Sequence, residues 1–166
     1  MDKSEQEQVF ADWLAKHHRI LHKVANSFAV GQDRDDLMQE MLVSLWRAIP
    51  SFRGEASAST FAYRVVHHCA LTWIRGETRR LRKHSAAARD LLAANAEDAS
   101  SDSRLELLYE CIRELPAIDR SVITMALDGL SHAQIGDIIG SRENTISVRI
   151  HRIRKQLASA IQKKST

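Results

Sequence analysis

Residues 131–157, SHAQIGDIIGSRENTISVRIHRIRKQL, decide how this chain is read. Ser131, followed three residues later by Gln134, makes a capping-box pattern that offers a side-chain oxygen to first-turn amides. On the short helix this opens, Ile135, Ile138 and Ile139 face inward, and Gly136 permits close helix–helix approach. Gly140 lets the chain turn, and Ser141 is placed to cap the next helix. There Ile146, Ile150, Ile153 and Leu157 recur at steps of four, three and four, a single narrow buried stripe. Opposite that stripe on a helical wheel stand Asn144, Val148, His151, Arg152 and Lys155. Two short helices joined by a tight turn, the second basic along its outer face, present one helix to the major groove of DNA. The face spanning 143–155 suits that task chemically. Arg can bridge two acceptors on guanine and Asn two groups on adenine, while Lys and Arg also hold phosphates. An amphipathic helix with a solvated basic face is the plainer alternative. The capping box, glycine turn and stripe occurring together in this order argue against it.

Working upstream, Leu105, Leu108, Ile112 and Leu115 repeat at helical spacing from a start near Arg104. Pro116 suits the first turn of a further helix that holds Ile118, Val122, Ile123 and Leu127, and Gly129 sits where a helix end needs a left-handed residue. Residues 79–103 change character, basic at first and then small, polar and acidic, which predicts a linker. Before it lie three more helical stretches. The first, over 5–29, carries Val9, Phe10, Trp13, Leu14, Ile20, Leu21, Val24 and Phe28, and Gly31 ends it. The polar cluster Asp33–Asp36 starts the second, whose stripe is Leu37, Met38, Met41, Leu42, Leu45, Trp46 and Ile49 until Pro50 stops it. The third runs from about Ser59 to Arg75 with Phe61, Ala62, Val65, Cys69 and Ile74 inward. The predicted fold is all-α: two small helical domains, 1–78 and 104–166, joined by a flexible linker.

The bulk numbers narrow the function classes. Of 166 residues 44% are apolar, enough for packed cores, and Gly and Pro number only 6 and 2, favouring helices. No apolar run approaches the roughly 20 residues of a membrane span, and MDKSEQEQVF lacks the apolar core of a signal peptide, so a cytoplasmic protein without membrane insertion is expected. Cys69 and Cys111 are far apart and expected to be reduced. The net charge of +3 says little, but its distribution says more. Acidic groups gather at Asp33, Asp35, Asp36 and Glu40, and basic ones at 75–89 and 142–155, which suits a protein partner plus nucleic acid. His18 with His22, and His67 with His68 and Cys69, complete no tetrahedral metal set. Without a nucleotide loop, nucleophile motif or paired carboxylates, neither metal, cofactor nor enzymatic activity is expected.

The stretch DDLMQEMLVSLWRAIPSFRGEASASTFAYRVVHHCALTWIR closely resembles the second conserved region of bacterial sigma factors, the small extracytoplasmic-function (ECF) type in particular. The features that carry this are D-L-x-Q-E-x-x-x-x-x-W-R, the F-R-G-E loop, and T-F-x-Y-R opening the next helix. Downstream, L-P-x-x-D-R, D-G-L-S-x-x-x-I and T-I-x-x-R-I-x-R-I-R resemble the fourth region of the same family. The resemblance implies an RNA polymerase subunit without catalysis of its own that selects promoters. Its partners would be core RNA polymerase (the β′ clamp helices and the β flap), promoter DNA and an anti-sigma factor. Family members of this type lack a large N-terminal inhibitory region and a separate third domain, and the length of this chain fits that expectation.

Site residues follow from the matched positions. Asp36, Leu37, Gln39, Glu40, Ser44 and Arg47 would dock on polymerase; a helix N-terminus favouring acidic groups explains part of the same pattern. Arg53, Ser57, Ala58, Ser59, Thr60, Tyr63, Arg64, His67 and His68 would melt and read the −10 element, where separated strands expose bases that can flip and stack. Phe61 and Trp73 are assigned to the core instead. Asn144, Thr145, Ser147, Val148, Arg149, His151, Arg152 and Lys155 would read −35 duplex, with Arg149 and Lys155 on phosphates. The basic segment 75–89 would run through polymerase near template and RNA. The chain departs from the family where bulkier aromatic or basic residues are frequent (Ala58, Ser59), where Asn is frequent (His68), and where an apolar residue often follows the turn glycine (Ser141, Arg142). The first two departures bear on which base is preferred. Two rivals stand beside this reading. A free-standing helix-turn-helix regulator leaves D-L-x-Q-E and F-R-G-E without purpose, and a purely protein-binding helical adaptor leaves the basic recognition face without one.

Overall fold

The computed structural model describes the backbone of residues 2–83 and 103–165, with side chains over 2–77 and 103–165. The stretch 84–102, which holds most of the expected linker, lies outside the described residues. The described residues form helices joined by short turns and loops, with no strand among them. The order is α1 (Lys3–Phe28), α2 (Gly31–Ala48), a 3-10 turn (Ile49–Ser51), α3 (Ala58–Lys83), α4 (Ser103–Arg113), α5 (Ala117–Leu127), α6 (His132–Ile139) and α7 (Glu143–Lys164).

In the first unit α1, α2 and α3 pack on one another. Asp2 caps α1 by accepting from the Glu5 amide at 2.9 Å, satisfying one of the free first-turn donors. The buried stripe of α1 contains Trp13, Ile20, Leu21, Val24, Ala25 and Phe28, that of α2 Leu37, Met41 and Leu45. Trp13, Phe52 and Phe61 meet edge-on with centroids 5.0 to 5.7 Å apart, which anchors the loop after α2 to α1 and α3. Two boundaries differ from the sequence reading. Gly31, at φ 53, opens α2 rather than ending α1, and Asp33 falls inside its first turn. Helix α3 continues past Arg75 and Gly76 to Lys83.

The buried face of α3 is also rotated from the expected one. Ala62, Tyr63, Val66, His67, Ala70 and Leu71 are buried, whereas Phe61, Val65, Cys69 and Ile74 are half-buried. The physical reason is a second neighbour. Helix α3 packs on α5 and α6 as well as on α1 and α2, so its side chains divide between two cores.

In the second unit α4, α5, α6 and α7 enclose Cys111, Ile112, Leu115, Val122, Ile123, Met125, Ile135 and Ile138 with the full stripe Ile146, Ile150, Ile153 and Leu157. Leu105 and Leu127, expected inward, are exposed at 44% and 55%; Cys111 and Met125 take the inward places instead. The capping box of α6 forms as read, with the Gln134 amide donating to Ser131 Oγ at 3.1 Å and the Ser131 amide to Gln134 Oε1 at 2.8 Å. Gly140 adopts the left-handed φ of 77° that closes the helix. Gly136 allows a close approach, but to the turn and not to a neighbouring helix: a Cβ there would stand 2.6 Å from the Ser141 carbonyl oxygen. The N-cap of α7 is Arg142, not Ser141, and it makes no side-chain capping bond.

The two units meet along a seam where α1 faces α4 and α5, and α3 faces α5 and α6. The seam is studded with polar pairs. His67 Nδ1 lies 2.6 Å from Ser121 Oγ, and Ser27 Oγ 2.7 Å from Thr124 Oγ1. Each of the latter hydroxyls also lies within hydrogen-bond reach of a carbonyl of its own helix, Lys23 O at 2.8 Å and Arg120 O at 2.7 Å. The Tyr63 hydroxyl donates to the Asp128 carboxylate, which also pairs with Lys23. Arg113 donates to the Asn26 carbonyl at 2.9 Å, and the Arg120 guanidinium sits 5.7 Å over the Phe28 ring.

Candidate nucleic-acid interface

On α7 the buried isoleucine stripe fixes which side chains reach outward. Asn144, Thr145, Val148, His151, Arg152 and Lys155 are exposed, with Ser147 and Arg149 intermediate. Val148 is 72% exposed, a bare apolar contact at the centre of a polar face and of the kind that meets a thymine methyl. The structure therefore brings together all the residues expected to read duplex DNA. It adds one that the sequence reading missed. Asp119, in the first turn of α5, holds Arg149 Nη1 at 3.2 Å and Arg152 Nη2 at 3.3 Å. Nothing in the spacing of α7 could reveal a partner some thirty residues upstream.

The loop and helix expected to face single strands divide into two groups. Arg53 and His68 are exposed, and Arg64 is intermediate. Gly54, at φ 75, turns the loop that carries Arg53. Ser57 closes the N-terminus of α3, accepting from the Thr60 amide at 3.1 Å and bonding the Ser59 and Thr60 hydroxyls at 3.0 and 2.9 Å, with Ala58 and Ser59 half-buried beside it. Thr60, Tyr63 and His67, by contrast, are 7%, 1% and 4% exposed and lie buried in this arrangement. Burial, with the nearby Tyr109 adding to it, pushes the Tyr63 phenol well above its ordinary range. Burial first, and then the neighbouring His68, pushes His67 down to about 4.

Between α2 and α3 runs an open groove of about 920 Å³. Asp36, Gln39, Glu40 and Ser44 line one wall and Arg64, His68, Cys69 and Trp73 the other. Residues expected to dock on polymerase and residues expected to face the −10 strand thus share one trough. Cys69, Thr72, Trp73 and Glu77 are wall residues that the sequence reading did not place there. Burial raises the Cys69 thiol, its hydrogen bond to Ser44 opposes this, and Glu40 adds to the rise. Leu37 departs from expectation. It is wholly buried against the core, because it lies on the α2 stripe with Met41 and Leu45, and presents nothing to a partner here. Arg47 is exposed and does not line the groove. Among the described residues no group of three or more His, Cys, Asp or Glu could hold a metal ion. The His18 and His22 rings lie 6.2 Å apart, and His67 is engaged by Ser121.

Comparison with known proteins follows the two helical units. Residues 13–80 match Sigma-70 region 2, and residues 105–157 match Sigma-70 region 4. The chain belongs to the sigma-70 family of bacterial RNA polymerase sigma factors, as a member of its ECF type. It is 27% identical over 151 residues to the ECF RNA polymerase sigma factor SigM of Mycobacterium tuberculosis, covering 90% of this chain and 75% of that one. It is 29% identical over 164 residues to the ECF RNA polymerase sigma-E factor of Haemophilus influenzae, covering 87% and 84%. Among solved structures, the sigma factor RpoE in complex with the anti-sigma factor NepR from Bartonella quintana superposes with a TM-score of 0.74 at 20% identity, over 93% of this chain and 98% of that one. CnrH in complex with the cytosolic domain of CnrY follows at 0.62 and 24%, over 95% and 90%. At these identities both structures speak to the fold alone.

Proposed function

We propose that the chain binds core RNA polymerase and directs it to its own promoters, α7 reading −35 duplex while α3 and the loop before it open and read the −10 element. The observation that carries this reading is the outward face of α7, held by a buried isoleucine stripe and a left-handed turn behind it, with amide, hydroxyl, imidazole and guanidinium groups in one row. Asp36, Gln39, Glu40 and Ser44, with Arg47 nearby on α2, would meet the β′ clamp helices, and the second unit the β flap. The basic segment 75–89 would pass near template and RNA; its part beyond 83 lies outside the described residues. Chemistry is left to polymerase, so the chain is an initiation subunit without catalytic activity or cofactor. It acts in the cytoplasm under an anti-sigma factor; no described helix is long and apolar enough to cross a membrane.

Burial of Thr60, Tyr63 and His67 gives this function a requirement. The seam must part before these side chains reach a strand, and polymerase, by holding the two units at separate promoter elements, would part it. The same burial is the observation in favour of the adaptor reading, in which the closed form never engages DNA. Transcription from cognate promoters with purified core polymerase separates the two. Promoter-specific transcripts support the proposal, and normal core binding without transcripts from any promoter of its regulon would sink it.

A further inference from the structure

Helix α7 carries two arginines one turn apart, Arg149 and Arg152, and neither is held by its own helix. Both are held from outside it by Asp119. The Asp119 residue is 5% exposed, and each oxygen takes one arginine: Oδ1 with Arg149 Nη1 at 3.2 Å, Oδ2 with Arg152 Nη2 at 3.3 Å. A buried carboxylate is costly unless paired, so its place fixes where the two guanidinium groups sit. Its own position is fixed in turn, because it stands in the first turn of α5, where the helix dipole favours an anion. Arg152 donates to Asp119 from one terminal nitrogen and Arg149 is held by charge alone, so most of the five donors on each remain free, and their side chains are 57% and 33% exposed. Two cations on one anion leave a net positive charge and a set of free donors at the edge of the recognition face.

We propose that Asp119 is a positioning residue for −35 recognition: it locks Arg149 and Arg152 into the rotamers in which their free donors meet DNA, Arg149 at a phosphate and Arg152 at a base edge, and so sets sequence discrimination through Arg152 rather than general affinity. This rests on the −35 reading above. The entropy of two long side chains is then spent on folding and not at the moment of binding. The opposite role is chemically available, since a carboxylate beside two arginines could restrain them from phosphates. The two roles predict opposite signs.

The test uses the holoenzyme, assembled from core polymerase and the full chain, on the cognate promoter and on promoters substituted one base pair at a time in the −35 element. Asp119→Asn keeps the shape and removes the charge. The expected result is a loss of about tenfold in the ratio of cognate to substituted binding at one base pair, with binding to the most heavily substituted promoter little changed. An unchanged ratio overturns the proposal, and so does tighter binding to every sequence with a steeper salt dependence, which would make Asp119 a brake. If the wild-type holoenzyme itself ignores −35 substitutions, the −35 reading fails instead. Should Asp119→Asn not fold, side-chain NMR on the wild-type full chain decides. Guanidinium groups of Arg149 and Arg152 more ordered than that of the exposed Arg154 support the lock; equal mobility removes it.

Discussion

Lowering the pH should loosen the seam between the two units through His67, and the size of the effect follows from its surroundings. His67 is 4% exposed, with Nδ1 on Ser121 Oγ at 2.6 Å and its ring 5.7 Å from that of His68. On the facing helix α5 the charged groups are engaged elsewhere. Asp119 is held by Arg149 and Arg152, and Arg120 lies over Phe28. Asp128, just beyond α5, is taken by Lys23 and Tyr63. On α6 stand His132 and Asp137, and on α2 Glu40, which acts on Cys69. His67 is accordingly pushed from 6.5 down to about 4, by burial first and His68 second. The closed arrangement binds the neutral ring, whereas an opened or unfolded chain takes up a proton below about 6.5. Stability contributed by His67 is therefore complete above pH 6.5, declines as the pH falls, and is lost by about 4, where the closed form also protonates. At about 1.4 kcal/mol per pH unit the whole window is worth about 3 kcal/mol, of which about 2 kcal/mol is gone by pH 5. Urea unfolding of the full chain at pH 7.5 and pH 5 should show that loss, with small-angle scattering reporting a larger particle at the lower pH. The His67→Gln variant, which cannot titrate, should lose about 2 kcal/mol less over the same interval, whatever its starting stability. Equal losses in both proteins would refute the assignment.

Three further outcomes are expected. Gly136→Ala places a Cβ 2.6 Å from the Ser141 carbonyl oxygen, a backbone atom that cannot swing away, so strain of about 1–3 kcal/mol should exceed the gain of up to about 1 kcal/mol in helix propensity and lower the denaturation midpoint. Ile150→Ala empties a site only 2% exposed beneath the recognition face, and should cost about 2–5 kcal/mol in chemical denaturation while disturbing −35 binding. Replacing Gln39 and Glu40 together by Ala should weaken core polymerase binding in a competition assay and leave denaturation unchanged, since both side chains are exposed on the wall of the α2–α3 groove.

What the sequence reveals and conceals divides along one physical line. Features set by a few neighbouring residues are legible: the capping box at Ser131, the left-handed Gly140, and the isoleucine stripe of α7 need only spacing and turn chemistry. The stripe of α2 was legible from its spacing, whereas the D-L-x-Q-E and F-R-G-E motifs name residues without saying which way they point. Leu37 shows the limit, being part of the D-L-x-Q-E motif and wholly buried because its position on the wheel outweighs its place in the motif. Tyr63 and His67 show another. Their burial depends on α5, more than fifty residues away, and periodicity within α3 cannot foresee a second core on its other side. The partnership of Asp119 with α7 was hidden for the same reason, as was the role of Gly136, which answers to the turn carbonyl of Ser141.

The Ser27–Thr124 pair carries a consequence for how the chain is used. Each hydroxyl spans the seam, yet each has a carbonyl of its own helix within reach, Lys23 O for Ser27 and Arg120 O for Thr124. Were the units to separate, as the proposed function requires, neither oxygen would be left unpaired, because its reserve acceptor is already in place. The pair therefore adds little to the cost of opening, and the resistance of the seam lies in its apolar contacts, which belong to one cluster running through both units.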